Sequence, residues 1–156
     1  MIVPGDPAPS FTLPTDGGGS LSSASLAGKP YVLYFYPKDN TPGCTTEACD
    51  FRDNLSRISA AGATVLGVSK DSPKSHDNFK SKYSLNFPLL SDADLSLHQA
   101  YGAYGHKKMY GRDVEGTIRS TFLVDGAGVV RAVWRGVKVK GHVDAVLEAL
   151  AGLGAA

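Results

Sequence analysis

Residues 31–49 read YVLYFYPKDNTPGCTTEAC, and the rest of the chain is organised around them. Residues 31–36 are continuously apolar or aromatic, which predicts a strand covered on both faces, as in a parallel sheet. The prolines, aspartate, asparagine and glycine of residues 37–43 predict a loop, because this composition continues neither a strand nor a helix. Apolar residues then recur at helical spacing and predict a helix that starts near Cys44. They are Ala48, Phe51, Leu55 and Ile58, with Gly62 as the C-cap.

Cys44 is the candidate nucleophile of this stretch. The first N–H groups of a helix have no intrahelical partner, and together with the positive end of the helix dipole they favour a thiolate. This matters because a free thiol with the reference pKa of about 8.5 is only ~3% ionised at pH 7. The alternative is that Cys44 is a small buried hydrophobe, but its position after a T-P-G loop favours the nucleophile.

Helical geometry separates Cys44 from the second cysteine, Cys49. Cys44 lies at the centre of the apolar stripe, whereas Cys49 lies about 140° further around the axis, towards solvent. Over five residues of helix the two Cα atoms are about 9 Å apart, beyond the ~7 Å limit for a disulfide. A bond between them therefore requires the first turns to unwind; otherwise Cys49 is a surface thiol.

Residues 37–53, PKDNTPGCTTEACDFRD, resemble the peroxiredoxins, thiol peroxidases built on a thioredoxin fold. The resemblance is to the bacterioferritin comigratory protein or Q-type subgroup in particular. Pro37, Thr41 and Cys44 match its P-x-x-x-T-x-x-C signature, and a second cysteine follows at Cys49. It continues along nearly the whole chain, through FPLLSD (87–92), KKMYGR (107–112), RSTFLVD (119–125) and KVKGH (138–142).

The resemblance implies a reaction cycle. Cys44 would attack hydrogen peroxide or an organic hydroperoxide and become a sulfenic acid. Cys49 would condense with that sulfenic acid to form an intramolecular disulfide, and thioredoxin or a similar dithiol protein would reduce it. The cycle needs no metal, haem or flavin, so we expect no cofactor.

The resemblance also implies a set of groups that hold the peroxide. These are the Thr41 hydroxyl, the peptide N–H groups of Gly43 and Cys44, and the guanidinium of Arg119. The residues alone leave an alternative for Arg119, which could be a strand-end side chain reaching out to water.

Two further positions match the family pattern. Pro37 would shield the thiolate from solvent, and Glu47 would take part in the substrate-binding site by orienting the arginine. For Glu47 the alternative is a favourable acid in the first helical turn, where it would complement the dipole.

Composition limits the possible partners. The chain has 156 residues, of which 42% are apolar and 20% charged, which predicts a single globular domain over residues 1–156. Its net charge is +1 and its sequence contains no run of like charges, so we expect neither nucleic acid nor a membrane as a partner.

Further sequence features bear on compartment and metal binding. The beginning of the chain, MIVPGDPAPSFTL, resembles no secretory leader, and no stretch reaches the ~20 apolar residues of a transmembrane helix, so we predict a cytoplasmic protein. The four histidines show no ligand spacing, which argues against a metal site. The subgroup resemblance favours a monomer over a dimer.

The remaining pattern predicts an α/β, thioredoxin-like fold with a central mixed sheet flanked by helices and an N-terminal β-hairpin. His76 lies on an apolar helix face and is predicted to be structural, while Asp92 and Asp94 are predicted to be solvated turn or cap residues. Residues 102–116 are predicted to form a mostly irregular loop that borders the active site. The other predicted elements are a hairpin of residues 11–13 and 20–21, strands at 63–68, 87–90, 120–124 and 129–134, and helices beginning near 73, 95 and 143.

Two other classes of function stay open at this point. A thiol–disulfide oxidoreductase of the thioredoxin type normally uses C-x-x-C, whereas four residues separate Cys44 from Cys49. A redox-responsive holdase would expose apolar surface on oxidation and bind partners without peroxidase turnover.

Overall fold

Nine β-strands and five α-helices form the part of the chain that this computed structural model describes, residues 1–154. In chain order they are β1 (Thr12–Pro14), β2 (Ser20–Ser22), β3 (Tyr31–Phe35), α1 (Pro42–Asp53), α2 (Leu55–Ala60), β4 (Thr64–Ser69), α3 (Pro73–Tyr83), β5 (Leu89–Ser91), α4 (Ser96–Tyr101), β6 (Tyr104–Met109), β7 (Arg112–Thr117), β8 (Ser120–Val124), β9 (Val130–Arg135) and α5 (His142–Gly154). Within this range no helix combines the length and the apolar character needed to cross a membrane.

The central sheet is mixed, as predicted, with five strands in the order β5-β4-β3-β8-β9. β3 lies in its middle, parallel to β4 on one side and antiparallel to β8 on the other. The pairing of Phe35 with Ser120 places the end of β3 beside the start of β8. The loop that follows β3 and the residue that precedes β8, Arg119, are therefore brought to the same edge of the sheet.

Both faces of β3 are covered, which explains its uninterrupted apolar run. Val32 and Tyr34 belong to a core cluster that also contains buried residues of α1, α2, α3 and α5. Leu33 and Phe35, which point to the opposite face, belong to a second cluster with residues of α4. The strand therefore has no solvated face, as predicted for a parallel neighbour in an α/β sheet.

The helix predicted to run from Cys44 to Gly62 is broken, and that prediction is wrong. α1 ends at Asp53 and α2 begins at Leu55, with Asn54 between them at φ −109° and ψ 8°. The Asn54 side chain donates to the carbonyl of Asp50 at 2.8 Å. Such local bonds from an asparagine side chain to the backbone compete with the regular hydrogen bonds of a helix. The apolar spacing continues across the break, which is why periodicity alone did not reveal it.

The segment predicted as an irregular loop, residues 102–116, is instead mostly a regular hairpin of β6 and β7. Its tip is formed by Tyr110 and Gly111, both with positive φ (53° and 78°), as two-residue hairpin turns require. Exposed His106 and Lys108 alternate with half-buried Gly105 and Lys107. Because none of these four residues is apolar, the sequence lacks the apolar–polar alternation that would have predicted a strand. The hairpin forms a separate two-stranded sheet.

The other elements agree with the prediction to within a few residues at their ends. β1 and β2 form the N-terminal hairpin, and β8 and β9 pair antiparallel. Ser72 caps α3, because its side-chain oxygen accepts from the N–H of Ser75, and a proline follows at the first helical position.

Candidate active site

Cys44 lies in the first turn of α1, as its sequence position predicts. The helix begins at Pro42, with Thr41 as the N-cap residue in an extended conformation. The Cys44 side chain is 2% exposed and belongs to the core cluster beneath α1. The cysteine is therefore buried, but burial does not make it an inert hydrophobe, because a charged side chain contacts its sulfur.

That side chain is Arg119. Its Nη2 donates to Sγ of Cys44 at 3.3 Å, and its Nη1 donates to Oε1 of Glu47 at 2.6 Å. Only 17% of the Arg119 side chain is exposed, so this arginine is turned inwards rather than out to water. A thiol or thiolate and a fixed cation thus meet at the helix N-terminus, where the helix dipole adds positive potential.

Glu47 lies one turn further along α1 and is wholly buried. Burial raises its pKa to about 7, while the charge and the hydrogen bond of Arg119 oppose that rise. Its second oxygen, Oε2, has no hydrogen-bond partner among the described residues. Glu47 is therefore not a solvated first-turn acid; its contact is with the guanidinium that touches Cys44.

Gly43 supplies space as well as a backbone N–H. A Cβ atom added at Gly43 would lie 3.3 Å from Nη2 of Arg119, closer than most such contacts. The peptide N–H groups of Gly43 and Cys44 belong to the first turn, where no carbonyl four residues back accepts from them. The Thr41 side chain does not cap them either, so both remain available to a ligand.

Thr41 and Pro37 border the same loop. The Thr41 hydroxyl donates to the carbonyl of Lys38 at 2.9 Å, which leaves its oxygen lone pairs free to accept. Pro37 is half-buried and follows shortly after β3. The loop residues of the predicted site thus lie together between β3 and the start of α1.

Cys49 lies in the same unbroken helix as Cys44, and both thiols are free. It is half-buried, which agrees with its predicted position away from the centre of the buried stripe. Because α1 is regular from Pro42 to Asp53, the two sulfurs cannot meet in this conformation.

The predicted border between the site and residues 102–116 exists, although the segment is a hairpin. Lys107 of β6 donates through Nζ to the carbonyl of Thr117 at 2.9 Å, two residues before Arg119. Burial and the charge of Arg119 both lower the pKa of Lys107, while the nearby Cys44 opposes them. Sequence reasoning missed this lysine because no strand was predicted to hold it.

Two histidines are paired with buried aspartates. His76 was predicted to be structural, and its Nδ1 lies 2.6 Å from Oδ2 of Asp39. The prediction that Asp92 is solvated is wrong: it is wholly buried, and its Oδ2 lies 2.7 Å from Nδ1 of His98. Asp92 also accepts from the N–H groups that begin α4, so the cap role was correct and the exposure was not. No cluster of potential metal ligands occurs within residues 1–154.

The chain is similar to known proteins over most of its length. A family model described as the AhpC/TSA family matches residues 4–133. A putative peroxiredoxin bcp of Coxiella burnetii is 55% identical over 149 residues, which cover 96% of this chain and 99% of that protein.

Solved structures are similar over most of the chain. A bacterioferritin comigratory protein of Xanthomonas campestris is 50% identical, with a TM-score of 0.86 over 91% of this chain and 90% of that one. A mutant PrxQ of Xylella fastidiosa is 40% identical, with a TM-score of 0.93 over 99% and 98%. The predicted thioredoxin-like fold is thereby confirmed, and the chain belongs to the AhpC/TSA family as a peroxiredoxin of the Bcp or Q type.

Proposed function

We propose that this peroxiredoxin reduces hydrogen peroxide and organic hydroperoxides with Cys44 as the peroxidatic residue. The observation that carries the proposal is the 3.3 Å contact between Nη2 of Arg119 and Sγ of Cys44 at a helix N-terminus. A neighbouring cation and free N–H groups both favour the thiolate, which is the nucleophilic form of cysteine.

In the first step the Cys44 thiolate attacks the nearer oxygen of the hydroperoxide. An S–O bond forms, the O–O bond breaks, and the second oxygen leaves as alkoxide or hydroxide, which takes a proton. The products are a sulfenic acid on Cys44 and one molecule of alcohol or water. Sulfur is oxidised by two electrons, and the peroxide is reduced by two.

Charge develops on the leaving oxygen, and donors near Cys44 can stabilise it. In this proposal the N–H groups of Gly43 and Cys44 and the Arg119 guanidinium donate to that oxygen, since fixed donors of this kind are effective in a site shielded from water. The Thr41 oxygen would accept from the protonated oxygen of the hydroperoxide. Glu47 would hold the guanidinium of Arg119 in the orientation that contacts Cys44. Pro37 would limit the access of water to the sulfur.

Cys49 is the resolving residue of the proposed cycle. Its thiolate attacks the sulfur of the Cys44 sulfenic acid, a disulfide forms as the S–O bond breaks, and hydroxide leaves and takes a proton to become water. Since both residues lie in one regular helix, α1 must open over its first turns for the sulfurs to approach.

The disulfide is returned to two thiols by an external dithiol, which supplies two electrons by exchange through a mixed disulfide. We assign this role to thioredoxin or a similar protein. A Xanthomonas campestris relative has been described for its alkyl peroxide reduction activity, which supports organic hydroperoxides as substrates. We further propose that the chain acts as a monomer and in the cytoplasm, as one domain over residues 1–156.

The test is a stopped-flow measurement of thiol oxidation with hydrogen peroxide and with an organic hydroperoxide. We expect rapid oxidation of the wild type and none for Cys44→Ser, because the serine oxygen is far less nucleophilic at neutral pH. Arg119→Ala should slow the step at least tenfold, in line with loss of one transition-state donor. Turnover by Cys44→Ser would overturn the assignment, and insulin reduction without peroxide consumption would favour a thioredoxin-type oxidoreductase.

A holdase gives a different result in the same preparation. A holdase would suppress the aggregation of an unfolding client even in Cys44→Ser, which no longer consumes peroxide. A peroxidase should lose peroxide turnover in Cys44→Ser, and its wild type should turn over repeatedly only when a dithiol reductant is supplied. This pair of results separates the peroxidase from both other classes.

A further inference from the structure

A buried polar cluster joins the loop that leads from β3 into α1 to helix α3, and the proposed chemistry uses none of its side chains. At its centre Asp39, 3% exposed in its side chain, contacts His76 of α3, which is 0% exposed. Moving two titratable groups out of water costs free energy, and even a well-paired buried couple often adds little net stability. A role other than stability is therefore worth considering for this pair.

Asp39 is bound at both of its carboxylate oxygens. Oδ1 accepts from the hydroxyl of Tyr36 at 2.5 Å, and Oδ2 accepts from Oγ of Ser75 at 2.9 Å and lies 2.6 Å from Nδ1 of His76. Its own backbone N–H donates to Oδ2 of Asp71 at 2.8 Å. The middle of the loop is therefore attached to the residue that follows β3, to α3 and to the segment between β4 and α3.

His76 extends this attachment to the sheet. Its Nε2 lies 2.9 Å from the carbonyl oxygen of Leu90, in β5. Because a carboxylate and a carbonyl only accept, both ring nitrogens carry protons when both bonds are made. Burial alone would lower the pKa of His76, but the hydrogen bond and charge of Asp39 outweigh it and raise that pKa. The hydrogen bonds to Asp39 and Leu90 and the direction of the pKa change both favour the protonated ring of His76.

The next loop residue is held by the other end of α3. Oδ1 of Asn40 accepts from the hydroxyl of Tyr83 at 3.0 Å and from Nζ of Lys82 at 3.4 Å. Asn40 has φ 58°, a left-handed conformation that asparagine tolerates better than most residues. Two consecutive residues of the loop are therefore fixed on α3, immediately before Thr41.

We propose that the Asp39–His76 pair is a positioning device, which holds the loop of residues 37–41 so that Thr41 and Cys44 meet Arg119 in reactive geometry. The inference rests on the proposed function, because it concerns the same peroxide-binding site. We also infer that the pair limits the conformational change on oxidation: the loop stays attached to α3 while the first turns of α1 open to form the disulfide. A displacement of about 1 Å at a reacting group can cost as much as ~100-fold in rate, so remote support of this kind affects chemistry.

Two substitutions at His76 separate its two bonds. In His76→Asn the side-chain amide occupies the place of Nδ1 and keeps a donor towards Asp39, while the bond to Leu90 is lost. In His76→Gln the amide reaches the place of Nε2 and keeps the bond to Leu90, while the bond to Asp39 is lost. We expect His76→Gln to slow the oxidation of Cys44 by hydrogen peroxide roughly 10- to 100-fold and His76→Asn to react within about threefold of the wild type.

The control is Val130→Ala, which removes buried volume from the second core cluster, on the sheet face opposite α1. It should lower the melting temperature at least as much as the His76 variants and leave the rate unchanged. The inference is overturned if His76→Gln oxidises at the wild-type rate, or if all three variants slow in proportion to their loss of stability. A wild type that does not react with peroxide would contradict the proposed function itself, a result distinguishable from either.

Should His76→Gln fail to fold, Tyr36→Phe carries the same test, since it removes only the hydroxyl bound to Oδ1 of Asp39. We expect it to slow oxidation about threefold or more, and an unchanged rate would overturn the inference. Hydrogen exchange gives a second readout in the wild type: the Asp39 amide should stay protected in both the reduced and the disulfide form. Loss of that protection on oxidation would contradict a fixed loop.

Discussion

Nη1 of Arg119 lies 2.6 Å from Oε1 of Glu47, a wholly buried carboxylate that contacts the same guanidinium that donates to Cys44. The ion pair fixes the direction of Nη2, because a guanidinium is planar and its N–H groups have set angles. Burial raises the pKa of Glu47 to about 7, so its charge can change near neutral pH. We therefore propose that the orientation of the arginine depends on the protonation of Glu47.

Glu47→Gln should slow the oxidation of Cys44 about tenfold above pH 7, because a neutral amide holds the guanidinium less strongly than a carboxylate does. With a pKa of about 7, wild-type Glu47 gains a proton as the pH falls, so the gap between the two proteins should narrow below pH 7. Stopped-flow rates from pH 5.5 to 8.5 measure this. The control is Glu148→Gln, an exposed acid on α5, which should match the wild type throughout. A gap that is constant with pH would contradict the role given to the charge.

Gly43→Ala should lower the rate of Cys44 oxidation several-fold while leaving the fold intact. The added Cβ would lie 3.3 Å from Nη2 of Arg119, so the guanidinium must shift away from the position that meets both Cys44 and Glu47. Gly152→Ala in α5, where an added Cβ meets nothing within 4 Å, is the matched control and should react at the wild-type rate. Equal rates for both variants would show that the room at Gly43 is unimportant.

Cys49→Ser should leave the first oxidation step within about twofold of the wild type and stop the cycle afterwards. Without a second thiol, the sulfenic acid of Cys44 persists and is oxidised further to the sulfinic form by excess peroxide. Mass spectrometry of the intact protein should show the gain of one and then two oxygen atoms. A disulfide-linked dimer formed through Cys44 in wild-type protein, in place of the internal bond, would instead show that Cys49 does not resolve.

Oxidation should open only the first turns of α1. The later part of the helix is anchored, since Phe51 stacks on Tyr34 at 4.6 Å between ring centroids and Arg52 donates to the carbonyl of Tyr83 at 2.6 Å. Hydrogen exchange should therefore be slow from Glu47 through Phe51 in the reduced protein, and fast before Phe51 in the disulfide form. A disulfide with the whole helix still protected would contradict the proposed opening.

Stability should fall as the pH drops from about 6.5 to 4, in part because of His142. Burial and then the charge of Arg119 lower its pKa to about 4, and its Nε2 pairs with Oγ1 of Thr121 at 2.8 Å. A folded-state pKa below the unfolded value means that the unfolded chain binds more protons in this window, so the contribution is present above pH 6.5 and lost towards pH 4. His142→Gln should remove up to about 3 kcal/mol of this pH dependence. Parallel pH profiles of the melting temperature for the two proteins would contradict the assignment.

Local chemistry in the sequence was enough to predict several features of the site. An uninterrupted apolar run predicted a strand covered on both faces, and a Pro- and Gly-containing loop before a helical pattern predicted Cys44 at a helix start. Both are local properties, because strand burial and helix initiation depend on neighbouring residues in the chain. The separation of Cys44 from Cys49 followed from helix geometry in the same way.

Local patterns could not show which distant residues meet at the sulfur; Arg119 was expected there only from the family resemblance, and the tertiary structure is what brings it to the thiol. Arg119 is 75 positions from Cys44, and it reaches the thiol because β8 pairs antiparallel with β3, a contact that no local pattern contains. The Asp39–His76 pair, 37 positions apart, was hidden for the same reason, and each residue alone has the sequence context of an ordinary loop or helix residue. The contact of Glu47 with Arg119 likewise depends on the pairing of β8 with β3. The sequence thus determines the local setting of each reactive group, such as Cys44 at a helix start. Packing across the sheet determines which groups act together, since pairing and desolvation are properties of the assembled fold.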